Sequence, residues 1–525
     1  MKITESLERE RLDDAPQDKS AVARFGLRSS TGTRLLKWGA LAVIAFAYLA
    51  DLSPGHAFMA DDFAAYVMHA ANIAEGRTYL AINYVPNPGA PWLAPSNGYP
   101  PVYPLILAPA YKAFGLNLRA LKAVTVLCFV ISLAIFASLT RPTMSPAMSV
   151  CALLIVGFNS VFWDQRDYIL SEFPYLMFSF GALIVIQNTY KSLTPEKLNF
   201  GVAMLLSVLL YCSYGTRTIG IVLLAALVLA DLAKFRRPSR FMMAVVTATA
   251  ILILAQTLFI SSPTGYVSAF HFSLRTTLVN ASYYAKTLSY VWQNGFNKKL
   301  QIIFALFFTA LAAISFARNL WKERAAREIY LLGYVGILLV WNAEIGLRGL
   351  VPILPLYIAY GVEEFGRIIE PLGMVTRRAA MTVLVLFCGM TFSAEIRRES
   401  HQQHEPNVHD AAAQELFSFL QTNTEPSEVL IFPKPRSLAL FTNRPVASLA
   451  PDESPEDSAN FMRSIRATIF VKTDWSPPAW QNFLDGNRGS LIEIFHNSEY
   501  QVFRFDWKMA APVGATDRGE MHSSP

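Results

Sequence analysis

Along most of the chain, apolar stretches of about 20 residues alternate with short polar breaks, the pattern of a polypeptide that crosses a bilayer repeatedly. The stretches begin near Leu35, Ala120, Ala147, Ile169, Leu198, Thr216, Phe241, Leu300, Glu328, Gly349 and Ala379, which predicts about eleven spans. A further apolar stretch, PVYPLILAPAYKAFG at 101–115, is short and proline-rich and reads as a re-entrant or interfacial helix. The pattern changes near Glu395. A helical segment, VHDAAAQELFSFLQTN (408–423), precedes short runs of strand length: EVLIFP (428–433), LALFT (438–442), ATIFVK (467–472), SLIEIFHN (490–497) and YQVFRF (500–505). The expected fold class is mainly α, a polytopic membrane helical bundle with a small C-terminal extracytoplasmic α/β domain. Its expected parts are a disordered cytosolic leader (1–34), a transmembrane domain (35–394) with a first external loop at 55–118, the α/β domain (395–510) and a disordered tail (511–525).

Composition supports the membrane reading. Of 525 residues, 53% are hydrophobic and only 16% charged, against about 25% charged in soluble domains. The net charge of +6 sits on loops and argues for no nucleic acid. Basic residues crowd alternate loops: 141–146, 191–197, 234–240, 317–327 and 367–378. By the positive-inside rule these loops are cytoplasmic. The N-terminus is then cytoplasmic too, and an odd number of spans puts the α/β domain outside. Cys128, Cys151, Cys212 and Cys388 all fall in apolar segments, so no disulfide framework is expected.

On the external face the loops carry a different chemistry. Asp61 and Asp62 open ADDFAAYVMHAANIAEGRTY (60–79). Asp164, Arg166, Asp167 and Glu172 lie in WDQRDYILSEFPY (163–175). Arg217, Glu344 and Arg348 flank later spans, and His271 and Arg275 lie in a long loop. A charge at a span end is ordinarily an interface residue, and Asp62 also suits the N-terminus of the helix that follows it. Carboxylates and arginines converging from several spans, however, suit a site that holds an anion and removes a proton. Tyr99, Pro100, Pro101 and Tyr103 read as shaping the loop. His401, His404 and His409 have no metal-cage spacing.

Four stretches together resemble the GT-C glycosyltransferases, especially bacterial members of the protein O-mannosyltransferase and aminoarabinose-transferase superfamily. They are ADDFAAYVMHAANIAEGRTY, NPGAPWLAPSNGYPPVYPLILAPAYKAFG (87–115), RDYILSEFPYLMF (166–178) and LRGLVPILPLYIAYG (347–361), and the resemblance covers roughly 35–364. It implies transfer of a sugar from a polyprenyl phosphate-linked donor to a hydroxyl of a glycolipid, lipid A or lipopolysaccharide, or a protein. The transfer would occur outside the cell's inner (plasma) membrane with inversion at the anomeric carbon. By this resemblance Asp61 is the general base, and Asp62 binds acceptor or supports the base. Arg217 and Arg348 are the expected donor-phosphate ligands, with Glu172, Asp167, Arg166 and His271 in supporting or acceptor-binding roles. The sequence has Glu172 where the family often has Asp, and Asp62 where it often has Glu. The resemblance is compatible with a divalent metal between carboxylates and requires no cofactor. A secondary transporter or lipid flippase is the competing reading, but it predicts related halves, and no such likeness exists between the halves of this sequence.

Overall fold

A computed structural model describes residues 31–89, 98–140, 142–260, 273–295, 297–323, 325–341, 345–400 and 405–507. His271, most of the expected leader and the expected tail lie outside the described residues. The chain opens with α1 (Thr31–Ala50), a 3-10 turn (Phe58–Ala60), α2 (Asp62–Glu75) and α3 (Val102–Phe114). It continues with α4 (Leu118–Leu139), α5 (Pro146–Gly157), α6 (Ser160–Gln165), α7 (Glu172–Tyr190), α8 (Phe200–Thr216), α9 (Ile221–Phe235) and α10 (Arg240–Phe259). Next come α11 (Leu274–Ser289), α12 (Lys298–Glu323), α13 (Ala326–Val340), α14 (Leu347–Leu350), α15 (Leu354–Ile368) and α16 (Met374–Ser400).

A helix thus lies at each of the eleven stretches read as spans. Among the described residues, α4, α9 with the turn before it, α10, α12 and α16 are long and apolar enough to cross a membrane, and α5 and α8 are shorter apolar helices. Several starts are written locally. Asn117, Ser145, Asn199 and Ser239 each accept a hydrogen bond from the backbone N–H three residues on, satisfying a donor the helix itself leaves open. The segment at 101–115 forms α3, whose 13 residues reach only about 20 Å, short of the bilayer core of about 30 Å.

The α/β domain contains α17 (Ala411–Asn423), β1 (Val429–Ile431), α18 (Pro435–Thr442), β2 (Val446–Ala447), α19 (Pro455–Ser464), β3 (Ala467–Thr473), α20 (Pro478–Gly486), β4 (Leu491–His496) and β5 (Tyr500–Phe505). Its mixed sheet runs β2-β1-β3-β5-β4. The first three strands are parallel, and β5 is antiparallel to both β3 and β4. One expected strand is corrected: 438–442 belongs to helix α18. Pro435 in its first turn presets the helical φ, and the buried Leu438, Ala439 and Thr442 follow helical spacing that a five-residue run hardly distinguishes from a strand.

Three apolar clusters organise the molecule. One fills the bundle, with Leu133, Phe136, Phe180, Leu223 and Tyr334 among its buried members. A second joins α2 and α3 to the α/β domain through Phe58, Phe63, Leu107, Phe417, Phe432 and Val471. The third lies around Phe470, Trp480, Phe483 and Phe505 within the domain itself. The join is also hydrogen-bonded. Val85 N–H donates to the Val446 carbonyl at 2.9 Å, and Val446 N–H donates to the Asn83 carbonyl at 3.0 Å. The 83–85 segment therefore continues the sheet past β2 and covers an edge that would otherwise expose backbone donors and acceptors.

Candidate functional site

Asp61 and Asp62 stand where α2 begins, after the 3-10 turn whose Phe58 packs on the rings of Phe417, Phe432 and Trp475. This turn is pinned on the α/β domain, so the domain reaches the two carboxylates directly. Asp61 Oδ1 accepts hydrogen bonds from Ser437 N–H and Ser437 Oγ, both at 2.8 Å. Asp62 Oδ1 accepts from Tyr99 OH and Arg436 Nη1, both at 2.6 Å, and its Oδ2 accepts from Arg348 Nη1 at 2.6 Å.

The network continues into the bundle. Glu172, at the start of α7, receives Arg348 Nε and Arg217 Nη1 on the same oxygen, Oε1. Arg217 also donates to Ser171 Oγ at 3.2 Å, which Tyr66 OH reaches at 3.0 Å. Asp61, Asp62, Glu172, Arg217 and Arg348, named from sequence, thus lie in one connected group of ion pairs and hydrogen bonds. Arg436, Ser437 and Tyr99 complete it. Sequence reasoning missed the first two and gave Tyr99 only a shaping role. Their one local signal is the basic PKPRS stretch (433–437) between two apolar runs.

Two adjacent carboxylates are driven in opposite directions. Burial pushes Asp61 above the usual carboxylate range, and the opposing pull of Arg436 and Ser437 does not undo it. Burial acts on Asp62 in the same sense, but Arg348 and Arg436 outweigh it and hold Asp62 well below that range. Such opposed shifts suit one carboxylate to taking up a proton and the other to staying ionised. Among the described residues, no group of three or more His, Cys, Asp or Glu side chains stands together as a metal-ion site. Asp61, Asp62 and Glu172 are engaged by arginines or Ser437.

Asp167 and Arg166 lie in a second cluster. Asp167 Oδ1 accepts from Ser53 N–H at 2.9 Å and from Lys122 Nζ at 3.0 Å. Lys122, whose side chain is 0% exposed, also donates to the carbonyls of Ser53 and Gly55 at 3.1 and 2.6 Å and to Ser53 Oγ at 2.9 Å. Arg166 pairs with Asp51 at 2.7 Å and lies over the Trp163 ring. The cluster braces the 51–56 turn that leads to Asp61. Lys122→Met leaves Asp167 with Arg166, at 3.4 Å, as its remaining counter-charge and takes the donor from three backbone or hydroxyl oxygens. Removing one partner of a buried pair costs about 3–5 kcal/mol, so the thermal unfolding midpoint of the purified protein in detergent is expected to fall by several degrees. An unchanged midpoint counts against the brace.

The sequence matches no family profile and no curated protein. Its fold, by contrast, is similar to solved structures. One is ArnT from Cupriavidus metallidurans bound to undecaprenyl phosphate, at TM-score 0.53 and 11% identity, covering 92% of this chain and 100% of that one. Another is the oligosaccharyltransferase AglB from Archaeoglobus fulgidus in complex with an inhibitory peptide and a dolichol-phosphate, at TM-score 0.55 and 11% identity, covering 85% and 70%. The A. fulgidus oligosaccharyltransferase in complex with Zn and sulfate gives TM-score 0.57 at 10% identity, covering 91% and 74%. The chain therefore has a GT-C-type fold, a multi-pass helical membrane bundle with an appended α/β domain.

Proposed function

We propose that this chain is a membrane glycosyltransferase that moves a sugar from a polyprenyl phosphate-linked donor to an acceptor hydroxyl at the outer face of the inner membrane. The observation that carries the reading is the joined group of Asp61, Asp62, Arg348, Glu172 and Arg217, built where the first external loop meets the bundle of a GT-C-type fold. A lipid-linked donor stays in the bilayer, so its phosphate must be met at that boundary. The basic loops support a cytoplasmic N-terminus and an external α/β domain.

In the proposed reaction the acceptor oxygen forms a bond to the anomeric carbon while its proton passes to the Asp61 carboxylate. The bond from that carbon to the phosphate oxygen breaks, and its electron pair leaves with the phosphate. A single displacement of this kind inverts the anomeric configuration. Burial raises the proton affinity of Asp61, which suits a base. Arg348 and Arg217 supply guanidinium donors toward the charge that develops on the phosphate, the kind of fixed stabilisation that lowers such barriers most. Glu172 holds both arginines in place. Acceptors of this chemistry include the hydroxyls of lipid A or lipopolysaccharide, of another glycolipid and of a protein.

The test is transfer of labelled sugar from a panel of polyprenyl phosphate donors in membranes that express the chain, against membranes that lack it. Label is expected to move from the lipid to a new product of inverted configuration. No transfer from any donor overturns the reading, and a retained configuration removes the single displacement.

A further inference from the structure

Charge among the ion-paired side chains of the site is balanced. Arg217, Arg348 and Arg436 face Asp61, Asp62 and Glu172, and every arginine has at least one of these carboxylates within ion-pair distance. A phosphate that enters competes with these carboxylates for the arginines. The three carboxylates are not equally free to yield: the Asp62 side chain is 27% exposed, that of Asp61 12% and that of Glu172 2%. Asp62 is also the one whose partners suit a phosphate best. Three donors from three separated parts of the chain meet on it at 2.6 Å: Arg348 Nη1, Arg436 Nη1 and Tyr99 OH.

We infer that Arg436 and Tyr99 belong with Arg348 to the donor-phosphate site, and that Asp62 is the internal anion which the phosphate replaces there. The inference rests on the glycosyltransferase reading and extends the phosphate site into the α/β domain. The chemistry fits the number of donors. A sugar linked to a polyprenyl phosphate is a phosphodiester with two free oxygens and one negative charge. When the bond to the sugar breaks, the phosphate gains a third free oxygen and a second charge. Three donors, two of them cationic, match that product and the transition state leading to it.

A purely architectural role explains Arg436 less well. Its guanidinium is buried, with the rings of Tyr84 and Tyr99 at 5.2 and 5.1 Å, and burying a charge is costly unless its partners are excellent. The domain is already anchored by the Phe58, Phe417 and Phe432 contacts and by the sheet extension at 83–85. A cation buried there is accounted for by an anion that must be bound and released.

The test measures binding of undecaprenyl phosphate to the purified full-length chain in detergent, for wild type, Arg436→Gln and Asp62→Asn. Arg436→Gln removes one charged donor, and affinity is expected to fall about 10- to 100-fold. Asp62→Asn removes the competing anion, and affinity is expected to rise by about tenfold, the opposite sign. If Arg436→Gln does not fold, Arg436→Lys keeps the charge, loses the planar fork, and is expected to give an intermediate loss. Wild-type affinity in a folded Arg436 variant, or weaker binding by Asp62→Asn, overturns this inference while leaving the glycosyltransferase reading intact. A wild type that neither binds undecaprenyl phosphate nor transfers sugar overturns both.

Discussion

Asp61→Asn is expected to lower the rate of sugar transfer by about 10²–10⁴-fold, the usual contribution of a positioned general base. Asparagine preserves size and still accepts the two hydrogen bonds that Ser437 gives Asp61, but it takes no proton. The loss should therefore appear without loss of folded protein. The sign of the electrostatic effect agrees. The pKa of Asp61 is raised in the folded chain because burial disfavours its charge. The corresponding contribution to stability is full below the unfolded value of about 3.9 and is lost as pH rises through the folded value. At neutral pH the ionised carboxylate is thus a cost that asparagine lacks, and the variant should unfold no earlier than wild type. The wild-type rate should rise with pH as Asp61 loses its proton and then level off. Equal transfer by wild type and Asp61→Asn would move the base elsewhere.

The second large effect is on stability. Glu172→Leu is expected to destabilise the protein by about 3–5 kcal/mol, because it strands buried cations rather than merely deleting a contact. Arg348 keeps Asp62 as a counter-charge, but Arg217 is left with the Ser171 hydroxyl. Arg217 is therefore the group left exposed to the penalty. Glu172→Leu combined with Arg217→Met should recover part of the stability, although transfer stays lost in both. A cycle of the two single variants and the double, followed by thermal unfolding in detergent, measures that coupling. Strict additivity would show that Glu172 does not hold Arg217.

How much of this was legible beforehand depends on the range over which each feature is encoded. The bundle was legible because a span is a local property: about 20 consecutive residues declare it without reference to the rest of the chain. Most strands of the α/β domain were legible for the same reason. The run at 438–442 was not, because four apolar residues and a threonine fit two periods and the preceding proline decided between them. Asp61, Asp62, Glu172, Arg217 and Arg348 could be named because charges at the ends of apolar spans stand out. Lys122 was passed over although it lies within an apolar segment, the very context that marks an ionisable residue as partnered. Arg436 and Ser437 were beyond local reading, since they meet Asp61 across 375 and 376 residues and basic residues are ordinary in a soluble domain. Tyr99 was visible, but the direction of its hydroxyl depends on the path of the loop.

The contact across 375 residues also has a meaning in time. The loop that carries Asp61 and Asp62 emerges early in synthesis, whereas Arg436 and Ser437 follow only after the whole bundle has been made. At about 5–20 residues per second, Asp61 waits roughly 20–75 s for Ser437 to exist. During that interval the 83–85 segment has no β2 to pair with, and Phe58 has no domain to pack on. The nascent chain therefore carries its acidic pair in an unfinished setting, and the site closes as one of the last events of biogenesis. A ribosome that stalls before residue 436 leaves an inserted bundle whose Asp61 and Asp62 lack Arg436 and Ser437.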